Sequence, residues 1–139
     1  MPSPKHLHRL QTLAEFRHEL RTFLHFSEAA AAQRNLPAQQ HQLLLQIAGA
    51  PDGDVPTVAY AAARLGLRHN SIVELSKRCE EAGLLTRVHD PADRRRVLLE
   101  LTPAGLRVLD DLSDDHAAEL NQRAPRLIAA LQRIQSIRP

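Results

Sequence analysis

From His6 to about Arg34 the apolar residues Leu7, Leu10, Leu13, Phe16, Leu20 and Leu24 recur every three or four positions, with no glycine or proline among them. That period marks one amphipathic helix. At 1.5 Å per residue such a helix is about 40 Å long, more than the core of a small domain can cover. Part of its apolar stripe therefore needs another surface, and the run Ala29–Ala32 allows a second helix to approach closely. A chain of 139 residues suffices for one compact domain, or for one domain with extra dimerisation helices.

The next segments are shorter. A second helix starts with Pro37 in its first turn and stops at Gly49-Ala50-Pro51, where the residues up to Asp54 read as a turn. Thr57 is placed to cap a short helix that ends at Gly66. After Leu67 and Arg68 comes another helix, with Ile72, Leu75, Cys79 and Ala82 at helical spacing and Gly83 closing it. Two helices this close form a helix-turn-helix candidate. Leu84–Val88 and Arg96–Leu101 read as two strands, with Val97, Leu99 and Leu101 on one face and Arg96 and Glu100 on the other. Thr102 caps a helix that has Pro103 at its first position. Pro125 interrupts that helical pattern, which predicts a separate last helix over Arg126–Ile137.

Composition narrows the function classes. Apolar residues make up 43% of the chain, enough for a core, whereas aromatics are 3%, so the core is built from Leu, Ala, Val and Ile. The formal charge of +2 does not by itself announce a nucleic-acid binder, and local clustering has to carry that argument. No apolar run approaches a membrane span, and the charged N-terminal residues lack the apolar stretch of a secretory signal. The single cysteine, Cys79, excludes an intrachain disulfide, which fits a cytoplasmic location. There is no Gly-rich phosphate loop, nucleophile elbow or paired acid motif, so the expectation is a non-enzyme without a cofactor.

The clustering is at Arg94, Arg95 and Arg96, beyond the Asp90-Pro91 turn, at the tip of the expected hairpin. Helix, helix, short helix, turn, helix, hairpin, helix is the order of a winged helix-turn-helix. The fold class is mainly α (α+β), with long N- and C-terminal dimerisation helices. In such a fold the helix enters the major groove and a guanidinium on the wing reaches the minor groove, where the potential is most negative. Arg68, His69, Asn70 and Ser71 stand at the N-terminal end of the recognition helix, where arginine can read guanine and asparagine adenine. Ser71 to Glu74 also has the spacing of a capping box, which would start the helix at Ser71. Both starts are compatible with the residues.

The segment Leu65–Gly105 resembles the signature of the MarR family of bacterial transcription regulators. Its pieces are Leu65-Gly66 at the turn, Glu80-Glu81-Ala82-Gly83-Leu84 closing the helix, the basic Arg87, Asp90-Pro91-Ala92-Asp93-Arg94-Arg95, and Leu101-Thr102-Pro103-Ala104-Gly105. Cys79 stands where the family usually has leucine, and is still an apolar filler. The resemblance implies a homodimer whose terminal helices interlock and a pseudo-palindromic double-stranded DNA operator. It also implies repression, with release by a small aromatic or anionic effector. Residues 1–36 would then be the N-terminal dimerisation helix, 37–102 the winged DNA-binding region and 103–139 the C-terminal dimerisation helices.

The resemblance starts the recognition helix nearer Arg68 rather than at Ser71, and that start is preferred. By it the DNA-contacting candidates are Arg68, His69, Asn70, Ser71, Glu74 and Arg78 on the helix and Asp93, Arg94 and Arg95 on the wing. Arg95 takes the minor groove, Asp93 holds it by a carboxylate–guanidinium pair, Arg94 lies on the phosphates and Arg96 faces solvent. The family's effector pocket lies between dimer helices and winged domain, which here brings in Arg17, His18, Arg21 and His25 on the first helix and His41 on the second. The eight histidines form no tight ligand set, so no metal site is expected. A peroxide-sensing branch of the family keeps its reactive cysteine in the first helix, unlike Cys79. Two alternatives are a helical interaction module of the same fold without DNA binding, and a metal-responsive regulator.

Overall fold

A computed structural model describes residues 1–137; Arg138 and Pro139, the last two residues of the expected C-terminal segment, lie outside the described residues. The elements are α1 (Pro4–Gln33), α2 (Ala38–Ala48), α3 (Val58–Leu65), α4 (His69–Glu81), β1 (Leu85–His89), β2 (Val97–Leu101) and α5 (Pro103–Ser136). The contacts divide the chain into two compact units, residues 1–30 with 114–139 and residues 31–113.

In the second unit α2, α3, α4 and the hairpin pack on one another. Leu43, Leu44 and Ile47 from α2, Val58 and Ala61 from α3, Ile72, Leu75 and Cys79 from α4, and Leu85 and Leu99 from the strands are buried. Truncating one of these leucines to alanine would cost about 2–5 kcal/mol. The strands are antiparallel, with Leu85 opposite Leu101 and His89 opposite Val97. Pro56 and Thr57 add to the sheet edge: Leu99 N–H donates to Pro56 O at 2.8 Å, and Thr57 bridges Leu98.

Local chemistry explains the boundaries. Asn35, at φ 56°, ends α1 in the left-handed conformation, and Leu36 N–H donates back to Ala31 O. Thr57 Oγ1 accepts Tyr60 N–H at 3.0 Å and so caps α3. Gly83, at φ 77°, lets Leu84 N–H reach Cys79 O and closes α4. Thr102 Oγ1 accepts Gly105 N–H at the start of α5 and donates to Gly83 O at 2.6 Å, tying the end of β2 to the end of α4.

One expected break is absent. Pro125 lies inside α5, so the C-terminal segment is one helix of 34 residues rather than two. A proline withholds one N–H and crowds the preceding turn, which bends a helix or ends it. Here helix formers such as Leu127, Ala129, Ala130 and Leu131 continue the helix beyond it.

In the first unit α1 buries the polar Thr12, Glu19 and Ser27 together with Ala30, whereas its leucines stay exposed. Glu19 and Arg123 form an ion pair at 3.7 Å with side-chain exposures of only 5% and 21%, and Arg123 also bonds Glu119. His116 Nε2 and Ser27 Oγ are 2.7 Å apart, with the imidazole edge-on to Phe23 and Phe26. Leu7, Leu10, Leu13, Leu20 and Leu24 on α1, and Leu120, Ile128 and Leu131 on α5, stay exposed. No helix among the described residues is long and apolar enough to cross a membrane.

Candidate nucleic-acid interface

The start of α4 decides what the recognition helix presents. It begins at His69, with Arg68 in extended backbone before it and no side-chain cap. Ser71 is therefore inside the first turn and does not cap the helix. Glu74 does not reach back to it but stands 3.6 Å from Lys77 Nζ. Arg68, His69, Asn70, Ser71, Glu74 and Arg78 are all exposed. Asn70, Ser71, Glu74 and Arg78, at helical spacing, line one shallow concave surface with Gln39, Leu67 and Leu75. A polar helix face with arginines at both ends and an amide between them has the chemistry to meet base edges and phosphates.

The wing is a loop, Asp90–Arg96, closed by its own backbone. Asp90 N–H donates to Arg96 O at 2.9 Å, Asp93 N–H to Asp90 O, and Arg96 N–H to Asp93 O. Both carboxylates turn the chain: Asp90 Oδ1 accepts Ala92 N–H, and Asp93 Oδ1 accepts Arg95 N–H. Asp90 also holds Arg96, Nη1 to Oδ2 at 3.4 Å. The expected guanidinium pair of Asp93 with Arg95 is thus replaced by a bond to the Arg95 backbone. The short aspartate side chain reaches the N–H two residues on more easily than it holds the end of a long, exposed side chain. The carboxylate–guanidinium pair of the wing is Asp90–Arg96, and Arg96, expected to face solvent, closes the loop instead. Arg94 and Arg95 remain exposed, and among the described residues no carboxylate pairs with either guanidinium.

Sequence reasoning missed three contacts here. His89 Nδ1 lies 3.1 Å from Arg94 O, and Arg87 N–H donates to Glu80 Oε2 at 2.8 Å. The third is the Asp90–Arg96 pair, for which the only sequence signal is an aspartate and an arginine flanking the same short loop. Cys79 is fully buried, and burial pushes its thiol up to about 11, so at neutral pH it is a protonated core residue.

The effector candidates divide. Arg17, Arg21 and His25 line an open concavity on α1 with Phe16, Leu20, Leu24 and Glu28. His18 is exposed and is not among its lining residues, and His41 is buried in the other unit. Among the described residues no group of three or more His, Cys, Asp or Glu side chains is placed to hold a metal ion.

A helix-turn-helix followed by an arginine-tipped hairpin defines the winged helix-turn-helix class. Within that class, the MarR family model matches residues 34–96, from the end of α1 to the wing. The fold is that of MarR family transcriptional regulators. AbsC of Streptomyces coelicolor, a MarR family transcriptional regulator, is 20% identical over 88% of this chain and 80% of its own, with a TM-score of 0.71. Overoxidised AbfR bound to DNA is 20% identical over 88% of both chains, with a TM-score of 0.62. BpsR of Bordetella bronchiseptica, whose DNA binding is regulated by 6-hydroxynicotinic acid, is 19% identical over 88% of this chain and 91% of its own, with a TM-score of 0.61. No curated protein matches the chain by sequence. The resemblance read from Leu65–Gly105 is borne out by the family model and by these folds.

Proposed function

We propose that this chain is a cytoplasmic, non-enzymatic transcriptional regulator that binds a pseudo-palindromic operator as a homodimer and represses until a small ligand releases it. The observation that carries the reading is the pairing, in one compact unit, of an exposed polar recognition face on α4 with a wing whose two tip guanidinium groups have no carboxylate partner among the described residues. The uncapped first turn of α4 leaves its N–H groups to water or to a phosphate oxygen. Arg68, His69, Asn70 and Ser71 would meet bases or adjoining phosphates, Glu74 would border that face, and Arg78 would meet phosphate. Arg95 would enter the minor groove, Arg94 would lie on the backbone and Asp93 would shape the turn between them. DNA-bound AbfR supports this use of the fold.

The exposed leucines of α1 and the exposed apolar residues of α5 support a second copy as the partner. Residues 1–36 and 103–139 would supply that interface and residues 37–102 the DNA-binding region. For the effector, Arg17, Arg21 and His25 beside Phe16, Leu20 and Leu24 suit a small aromatic anion, in keeping with the regulation of BpsR. His18 and His41 have no support from this concavity.

The test is a binding titration on DNA flanking the protein's own gene. A two-fold dimer needs half-sites about one helical turn apart, or a multiple of it, so inserting about 5 bp between them should abolish specific binding. Equal affinity for the flanking DNA and for random DNA would remove the reading of a specific regulator.

A further inference from the structure

We propose that His89 is a positioning residue for DNA binding: together with Asp93 it grips the one peptide group that joins Arg94 to Arg95 and so fixes the tip backbone that carries both guanidinium groups. The inference rests on the DNA-binding reading above. The Arg94 C=O and the Arg95 N–H belong to the same planar peptide. The N–H donates to Asp93 Oδ1 at 3.0 Å. The C=O faces His89 Nδ1 at 3.1 Å. A plane held at both its polar ends loses its freedom to rotate. That rotation turns the ψ of Arg94 against the φ of Arg95, so holding the plane keeps the tip backbone of the wing in one conformation.

The chemistry fixes the state of the imidazole. A carbonyl oxygen only accepts, so the ring must present an N–H at Nδ1. The geometry also explains why a histidine stands at this place. His89 is the last paired residue of β1, opposite Val97, so its backbone is anchored in the ladder while its ring reaches forward over the loop. The other contacts of the loop, Asp90 with Ala92 and with Arg96, tie the loop to itself. The His89 contact ties the arginine-bearing peptide to the strand, and so to the unit that carries α4.

The groove contact depends on two long cations arriving in register with the recognition helix. Without the imidazole the wing would still close through Asp90 and Arg96, but the Arg94–Arg95 peptide would rotate and part of the binding energy would go to fixing it. A histidine with this role is neither a base reader nor a phosphate ligand, which separates it from the two arginines it serves.

The test uses the full chain, at about pH 8, where an ordinary imidazole is neutral. Affinity for flanking DNA and its salt dependence are measured for wild type, His89→Asn, His89→Phe and Arg94→Ala/Arg95→Ala, and for His89→Phe combined with that double variant. An asparagine amide places an N–H where Nδ1 stood; phenylalanine keeps the ring without a donor. Expected results are near wild-type binding for His89→Asn and a loss of about two- to tenfold for His89→Phe, the worth of one hydrogen bond. In the background lacking both arginines, His89→Phe should cause no further loss. A long-range proton–nitrogen spectrum of the free protein should show the Nδ1–H tautomer. The proposal is overturned by an Nε2–H tautomer, by His89→Phe binding like wild type, by its loss persisting without the arginines, or by His89→Asn being as weak as His89→Phe. If removing both arginines leaves wild-type binding intact, the wing reading itself fails, a result distinct from these, and the role of His89 falls with it.

Discussion

Replacing Gly105 by alanine isolates the junction where the base of the hairpin, the end of the recognition helix and the start of α5 meet. A Cβ at this position would stand 2.2 Å from Leu84 O and 3.1 Å from Leu84 C, both backbone atoms. That is about 0.8 Å inside the closest approach a Cβ makes, so the first turn of α5 has to move away from the α4–β1 corner. The same corner holds three hydrogen bonds: Thr102 N–H to Leu84 O at 3.1 Å, Thr102 Oγ1–H to Gly83 O at 2.6 Å, and Gly105 N–H to Thr102 Oγ1 at 3.1 Å. Overpacking of this kind costs about 1–3 kcal/mol. Lengthening the first two bonds adds about 0.5–1.5 kcal/mol each. Alanine returns about 1 kcal/mol through its helix propensity. The net loss is about 1–5 kcal/mol. Urea unfolding at fixed protein concentration should show a lower midpoint at unchanged slope. Gly53→Ala is the control: its Cβ would meet nothing within 4 Å, and its φ of 91° alone should cost about 1 kcal/mol. A Gly105→Ala variant within about 0.5 kcal/mol of wild type would refute the reasoning, because relief of the clash would then cost nothing.

Three further outcomes follow from other parts of the molecule. Arg123→Met leaves Glu19 buried without its ion pair and should destabilise by about 3–5 kcal/mol, whereas adding Glu19→Leu should recover most of it; urea melts of both variants check this. Leu20→Glu with Leu24→Glu places charge on the exposed apolar face of α1 and should shift sedimentation from dimer toward monomer or unfolded chain. Cys79 should resist alkylation in the folded protein at neutral pH. Because its folded pKa, about 11, lies above the ordinary 9.0, its contribution to stability is present below pH 9.0 and is lost as pH rises toward 11, which stability measured across that range reports.

Much of the second unit was legible because its signals are local. Thr57, Gly66, Gly83 and Thr102 announce caps, and alternation at Val97, Leu99 and Leu101 announces a strand. Each is enforced by backbone chemistry within a few residues. The start of α4 is obscured in the residues themselves because Ser71 and Glu74 imitate a capping box, while Lys77 competes for the same glutamate; the start nearer Arg68, which the resemblance favours, is the one observed. Pro125 misled for the opposite reason: a local rule predicts an end, whereas the helix formers beyond it continue the helix. In the wing the charges were legible but the pairing was not. Asp93 and Arg95 are near enough in sequence to suggest an ion pair, yet the carboxylate takes the backbone N–H, and Asp90 takes Arg96 across the loop mouth. Contacts set by the path of a loop, such as His89 with Arg94 O, leave no periodicity to read. The Glu19–Arg123 pair joins residues more than a hundred positions apart, and nothing in the spacing marks it.

The most direct measurement of the proposed function is the salt dependence of binding to the flanking DNA for wild type, Arg95→Ala and Asn70→Ala. A guanidinium in the minor groove displaces counterions from any sequence, whereas a neutral amide binds only the matching base edge. Arg95→Ala should weaken binding and flatten the slope of affinity against salt by about one unit, with preference for the cognate site largely kept. Asn70→Ala should cost about 1–3 kcal/mol on the cognate site, relax preference at one base pair and leave the slope alone. If Arg95→Ala changes neither affinity nor slope, and Asn70→Ala weakens cognate and random DNA alike, neither the wing nor α4 reads DNA in the way proposed.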